Sequence, residues 1–545
     1  MLLAHDSPLP GSLPSRFHRV TTDAWEAIWT GFVCLLGVPA GATSIGKLLD
    51  RLTPATIPAR TAELHGVFWL ILIDRATGQR FCCIDPHYFY RAYVGGPYAG
   101  NCYLDLVRAL GLKAADLDPD TVMELFHYGQ MFIGNTFTSA VRRLRHDEVI
   151  TWNAAGKPVS LPRPVQEMED PARMTFEEYW AQFVESLRGE TLSVDLSGGK
   201  DSRLLACLCQ AAGLEFDVAM FGCKDFWEFP IARDIAVILD KPFIPTVVEL
   251  GDIAAAIPRM FRETDGLYDA LGFHGQEQLN DDRAARGITL ALNGSGGEVF
   301  NDHWWLQEFP FYGKRGTNMT LNYDLRIEHL RDWPHEYFAG DMRRRSETWR
   351  ARMLALLAER YLRPTNTRTY DMIAMEFKTR EMGGRFMSAA VDHASPQFMP
   401  YMDNDLASIG HHLPVWTRAF NRFHRRQITR LNRRMAKVRT TEYMTLSDEP
   451  LDLFCDAFRN VGNKLHRLQR KVNQRLFNKR DFPPSPEHPE VRPVARTLPL
   501  TGEIFTLLKD YRIINPDLAF EQVANGHLGR FLTTGLLIRH LEGLD

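Results

Sequence analysis

Long apolar runs are missing from this 545-residue chain. Its most apolar early stretches, Gly31 to Ala40 and Val67 to Ile73, are too short to span a bilayer. No early segment pairs a basic start with an apolar stretch and a small-residue cleavage site, so the cytoplasm is the expected compartment, with no membrane partner. Cysteine is scarce: eight residues in a chain this long make no disulfide framework. Their spacing matches no structural zinc site. Cys82, Cys83, Cys207 and Cys209 lie in apolar runs and read as reduced core residues. An excess of one charge is also lacking. With 64 basic and 67 acidic side chains the net charge is -3, which gives no footing for nucleic acid or an anionic membrane. No internal repeat is evident. What remains is an ordinary globular composition, long enough for two or three domains.

The pattern along the chain divides in two. Gly66 to Asp74 reads as a buried strand, a turn follows at Ala76 to Gln79, and Arg80 to Ile84 is a second strand ended by Asp85-Pro86. Thr121 to Gly129 has helical spacing. Pro158 to Pro171, rich in proline, reads as a linker. These limits give an N-terminal domain over residues 1–165 and a second over 175–545. In the second, strands at Leu192 to Leu196, Phe216 to Phe221, Phe243 to Val248 and Ile288 to Leu292 alternate with helical segments. That alternation predicts an α/β fold with a doubly wound parallel sheet, elaborated by helices beyond about Leu325. A basic segment spans 418–480 and includes Arg425, Arg426, Arg433, Arg434, Arg467, Arg470 and Lys471. It reads as a solvated helical face, with a docking surface for an acidic partner as the alternative. The aromatic run His303-Trp304-Trp305 reads as core, with a substrate pocket as the alternative.

The strongest chemical signal is Ser197-Gly198-Gly199-Lys200-Asp201-Ser202, placed after Leu196 between a strand and a helix. Two glycines let successive backbone N–H groups converge on one anion, and both hydroxyls can donate to phosphate oxygens. The helix adds its N-terminal partial positive charge. A carboxylate inside an anion cradle is repelled by bare phosphate, so Asp201 is expected to hold Mg2+. The spacing is not that of a Walker A loop.

This hexapeptide resembles the pyrophosphate loop of the N-type ATP pyrophosphatases. Glu228-Phe229-Pro230, Glu263-Thr264-Asp265, Asn293-Gly294-Ser295-Gly296-Gly297-Glu298 and Pro400-Tyr401-Met402-Asp403 resemble further segments of the asparagine-synthetase-like branch. The resemblance implies ATP bound by residues 196 to 202 with Gly294, Gly296 and Gly297, and Mg2+ on Asp201 and Glu298. Two departures matter. Ser295 stands where the family has an acid implicated as base, and Glu298 where it has Asp. Serine is a poor base at neutral pH, which argues against plain asparagine synthesis from ammonia. Lys437 resembles the family's late lysine, which stabilises developing negative charge, although it also reads as one more lysine on a basic helix.

The early segments resemble the family's glutamine amidotransferase domain, an N-terminal-nucleophile sandwich. Gly66 to Asp74, Cys83 to Pro86, Gly134 to Phe137 and Arg143-Leu144 carry that likeness. The family's nucleophile is a cysteine freed at residue 1. Here the chain begins Met1-Leu2-Leu3 and its first cysteine is Cys34, so this domain is expected to be a degenerate scaffold. The implied activity is AMP-forming amide ligation of a small-molecule or peptide carboxylate. β-Lactam synthetase and lasso-peptide cyclases are relatives of that kind, closing amides within one molecule. An ammonia-fed amidotransferase and a catalytically dead nucleotide- or peptide-binding scaffold are the alternatives. Oligomeric state is open, a homodimer being one option.

Overall fold

Two eleven-residue strands, Trp25–Leu35 (β3) and Leu64–Asp74 (β4), pair antiparallel along their whole length. The computed structural model that contains them describes residues 1–5, 13–131, 136–314, 316–323, 334–384, 395–441, 443–456 and 491–544. Both strands are almost continuously apolar because both faces of their sheet are covered. On one face Trp25, Trp29 and Val33 pack with Ile45, Leu48 and Ile57 from the helices Ala42–Leu49 and Ile57–Thr61. On the other, Ile28, Phe32 and Cys34 join the main core. The sheet has six strands in the order β10-β9-β5-β4-β3-β2. The others are Phe17–Thr21 (β2), Arg80–Ile84 (β5), Glu148–Trp152 (β9) and Pro158–Pro162 (β10). A four-stranded antiparallel sheet, β1-β7-β6-β8, comprises Leu2–Leu3, Tyr98–Gly100, Tyr93–Gly95 and Val141–Arg143.

One expectation is corrected here. The front of the proline-rich stretch is not linker but strand β10, paired to β9 from Pro158 to Pro162. It lies at the sheet edge, where a proline's missing N–H forfeits no ladder bond on the open side.

The third sheet is entirely parallel, with order β13-β12-β11-β14-β15. Its strands are Leu192–Asp195 (β11), Phe216–Gly222 (β12), Phe243–Val247 (β13), Leu290–Leu292 (β14) and Gln397–Phe398 (β15). The chain leaves β11 toward β12 and β13, then returns to lay β14 and β15 on the other side. The ends of β11 and β14 thus flank the point where strand order reverses, the crevice in which open α/β sheets gather ligands. A capping box starts the helix Phe176–Ser186 ahead of β11: Thr175 accepts from Glu178 N while Glu178 reaches back to Thr175 N. Phe183 of that helix and Phe32 of β3 both meet Phe398 of β15, locking the parallel sheet to the six-stranded one. The chain is a mixed α/β protein. Among the described residues no helix is long and apolar enough to cross a membrane.

Candidate functional site

Strand β11 runs into the loop Ser197 to Lys200, and the helix Asp201–Ala211 begins with no side-chain cap on its first amides. Ser197 and Ser202 face each other across the loop with their Oγ atoms 3.0 Å apart. Ser197 N donates to Ser202 Oγ at 3.2 Å, and Gly199 N to Ser197 Oγ at 3.2 Å. Glu228, at the head of the helix Phe229–Leu239, accepts from Gly198 N at 2.8 Å. Underneath, the fully buried Arg203 donates to the carbonyls of Gly198, Met435, Val438 and Arg439. It thereby ties the loop to the end of the short helix Arg433–Lys437.

The second glycine-rich turn, Asn293 to Glu298, leaves β14 next door. A Cβ on Gly294 would stand 2.5 Å from Ser202 N, and one on Gly297 would overlap the Asp201 carboxylate. Glycine is what lets the two turns touch. Gly296 N donates to Glu298 Oε2 at 3.0 Å. Ser295 uses both its N–H and its hydroxyl on Asn293 Oδ1, at 2.8 and 2.6 Å. Asn293 in turn donates to Asp195, which the buried Arg283 holds from the other side.

The two turns bring Asp201 and Glu298 into one electrostatic unit. Burial works to raise the Asp201 carboxyl, but Lys200 and His424 outweigh it and hold it below the usual carboxylate range. Glu298 goes the other way: burial, and then the Asp201 charge, push it up. Lys200 and Lys378 oppose that rise. Asp201 Oδ1 makes no well-formed hydrogen bond, although His424 Nε2 lies 2.8 Å away. An ionised carboxylate beside a second one of raised proton affinity is an oxygen donor set suited to a hard divalent cation. Beside the loop, a cavity of about 200 Å³ opens between the ends of β11 and β12, walled by Leu196, Met220, Phe221, Phe226 and Leu279.

Lys437 is not gathered in. Its side chain is 58% exposed and its ammonium pairs with Glu449 at 3.2 Å. Of the other motif segments, Tyr401 OH reaches Asp201 O at 3.4 Å, whereas Asp265 accepts from Tyr93 OH at 2.9 Å, against the N-terminal strands. Trp304 and Trp305 are buried, as the core reading expects, with Lys378 and Arg418 over their faces. The basic segment is only partly a solvated face. Arg418 is buried in a bidentate pair with Asp371, and Arg425 in a pair with Asp456. Arg467, Arg470 and Lys471 lie outside the described residues, as do Gly134 and Asn135. Glu228, named in one of the motif segments, does meet the loop, whereas nothing in the sequence marked His424, Lys378 or Arg203.

Neither a scan against protein-family models nor a search of curated proteins finds a match for this chain.

A second cluster lies where the parallel sheet meets the six-stranded one. His65, His87 and Asp403 are all buried, with potential ligand atoms within 4.8 Å of one another. The hydrogen bonding speaks against a metal there. His87 Nδ1 accepts from Asn404 N at 3.1 Å, so its Nε2 carries the proton and has no lone pair to give. A ligating imidazole has the opposite arrangement, donating from its far nitrogen. The cluster is instead a clamp on Asp403: His65 Nδ1 pairs with Asp403 Oδ2 at 2.7 Å, and His87, kept neutral by burial, stands with Nε2 3.4 Å from the same oxygen.

Proposed function

We propose that the chain is an ATP-dependent amide ligase of the asparagine-synthetase-like kind, forming AMP and pyrophosphate. The observation that carries this reading is the meeting of Asp201 and Glu298, on two glycine-rich turns from adjacent strands, at the reversal point of the parallel sheet. On this reading the parallel sheet is a pyrophosphatase-type nucleotide fold. The two antiparallel sheets are a degenerate N-terminal-nucleophile sandwich.

The uncapped helix N-terminus and the two serines suit the β- and γ-phosphates. The apolar cavity beside Leu196 suits the purine. A substrate carboxylate then attacks the α-phosphorus, the bond to pyrophosphate breaks, and an acyl-adenylate results. An amine, on the same or a second substrate, attacks the acyl carbon, expels AMP and releases a proton. Asp201 and Glu298 would hold Mg2+, which neutralises charge on the departing pyrophosphate. The chain's own contribution is to fix that leaving group with loop amides and hydroxyls while Lys200 and Lys378 add positive potential. Five of the eight cysteines are buried, and burial pushes the Cys34, Cys82 and Cys83 thiols up, which suits a scaffold more than a glutaminase.

Exchange of labelled pyrophosphate into ATP, measured with candidate carboxylates, tests the reading. Carboxylate-dependent exchange with AMP as product supports it, and ADP as product overturns it.

A further inference from the structure

A second, roomier cavity lies away from the nucleotide loop. About 840 Å³ lies between the end of the N-terminal sheets and the π-helical segment Ile373–Gly384. Lys378 of that segment stacks on Trp304 and acts on Glu298, while Glu376 and Arg380 line the cavity instead. Wide-turn helices of this sort recur at functional sites. Across the cavity stands Tyr88, a bulky residue held at φ +64°, a conformation that costs free energy and persists only where the surroundings impose it.

Most charges in the cavity wall are already matched. Arg142, Arg145, His146 and Arg363 each pair with a neighbouring carboxylate. Two groups are not. Arg380 is only 6% exposed and spends Nη2 on Asn404 Oδ1 at 2.9 Å, but its Nε has no acceptor. Glu376 makes no hydrogen bond or close ion pair among the described residues, and burial pushes its carboxyl up against the pull of the Arg380, Arg360 and Arg363 charges. A buried donor left this way costs stability, and a carboxylate at the cavity wall is free to take a ligand's donor.

We infer that this cavity binds a free α-amino acid, its carboxylate on Arg380 and its ammonium on Glu376. The two side chains are four residues apart on one helix, so their Cβ atoms stand about 6 Å apart and can close on adjacent carbons of one small ligand. The wall contains six arginines and five carboxylates. That near balance turns away polyanions such as nucleotides, and Glu376 would repel a plain carboxylic acid. Met168 and Met372 offer adaptable apolar surface to the ligand side chain. No nucleotide is needed for this binding, so it stands apart from the ligase reading.

The test is thermal unfolding of the full chain without ATP, with each L-amino acid added in turn. At least one should raise the melting temperature, while its N-acetyl and methyl-ester forms, each lacking one charge, should not. Calorimetric titration of that amino acid should weaken about tenfold or more in Glu376→Gln and in Arg380→Gln. The inference is overturned if no amino acid shifts the melting temperature, or if a one-charge analogue binds as well as the parent. The analogue comparison uses the unaltered protein, so it decides even if a variant fails to fold.

Discussion

His424 Nε2 lies 2.8 Å from Asp201 Oδ1, and the histidine is wholly buried on the helix Arg422–Leu431. The carboxylate that heads the helix after the Ser197 to Lys200 loop is thus met by a side chain more than two hundred residues away. Replacing Asp201 with Ala should abolish pyrophosphate exchange, about a thousandfold or more, as expected for loss of a group that stabilises developing charge. The fold should survive, since the side chain is partly exposed and packs little. His424→Gln retains a donor at the Nε2 position and should cost far less than His424→Ala. Exchange rates report the chemistry, and an Mg2+-dependent rise in melting temperature, lost in Asp201→Ala, reports the cation independently. Undiminished exchange in Asp201→Ala would remove the metal assignment.

Ser295 has a narrower part. Its hydroxyl proton is committed to Asn293 Oδ1 at 2.6 Å, and Asn293 is anchored on Asp195. An amide does not pass protons on readily, so the serine shapes the turn and does not serve as a base. Ser295→Ala should lower amide formation and pyrophosphate exchange together, by less than about tenfold, the loss of one ordinary hydrogen bond. If amide formation fails while exchange persists, the hydroxyl does carry the amine's proton and this account of the loop is wrong.

The parallel sheet was legible because its strands are apolar, short and punctuated by glycine turns. Phe216–Gly222 and Phe243–Val247 fall within a residue of their expected limits. Other elements carried no such mark. β6, β7 and β8 have three residues each, too few for a period of two to register, and β10 hides among prolines. In the site, both glycine turns could be read from the sequence, but what backs them could not. Arg418 and Arg425 look like surface charge until the fold supplies Asp371 and Asp456. His424 was lost in the same basic run.

Arg203, on the helix Asp201–Ala211, shows how a charge can be structural here. It is fully buried, burial lowers its pKa to about 10, and its partners are four carbonyl oxygens with no carboxylate among them. Arg203→Met should destabilise the protein by about 3 kcal/mol, because the carbonyls lose their donors without gaining water. Lys cannot span the same fork and should restore little. Urea unfolding checks this. A midpoint unchanged from the parent protein would show the guanidinium to be dispensable.

The clamp at His65, His87 and Asp403 makes stability depend on pH. Burial opposes a charge on His65, but Asp403 overcomes it and the pKa rises above 6.5. The stability from His65 is therefore complete below about pH 6.5 and is lost as pH climbs through the raised value. His87 has the opposite sign. Burial drops it to about 3, so between pH 6.5 and 3 the unfolded chain takes a proton that the folded chain refuses, and stability falls with falling pH. Asp403, held low by the two histidines against burial, adds stability above the ordinary carboxylate range that is lost in stronger acid. Asp405 at 3.7 Å from His65 Nε2 strengthens the first effect, and Arg173 and Arg380 oppose charge on the two rings. The clamp's own contribution is therefore greatest near pH 6.5, with a loss on each side. His65→Asn keeps a donor at the Nδ1 position without titrating, and should flatten the alkaline limb. His87→Gln keeps a donor toward Asp403 and should make the acid limb shallower down to about pH 4, leaving the share of His527, whose pKa burial also lowers to about 4. Unfolding free energies measured across that range test both signs at once: a His87→Gln protein that loses stability between pH 6.5 and 4 as steeply as the parent places the acid limb elsewhere in the molecule.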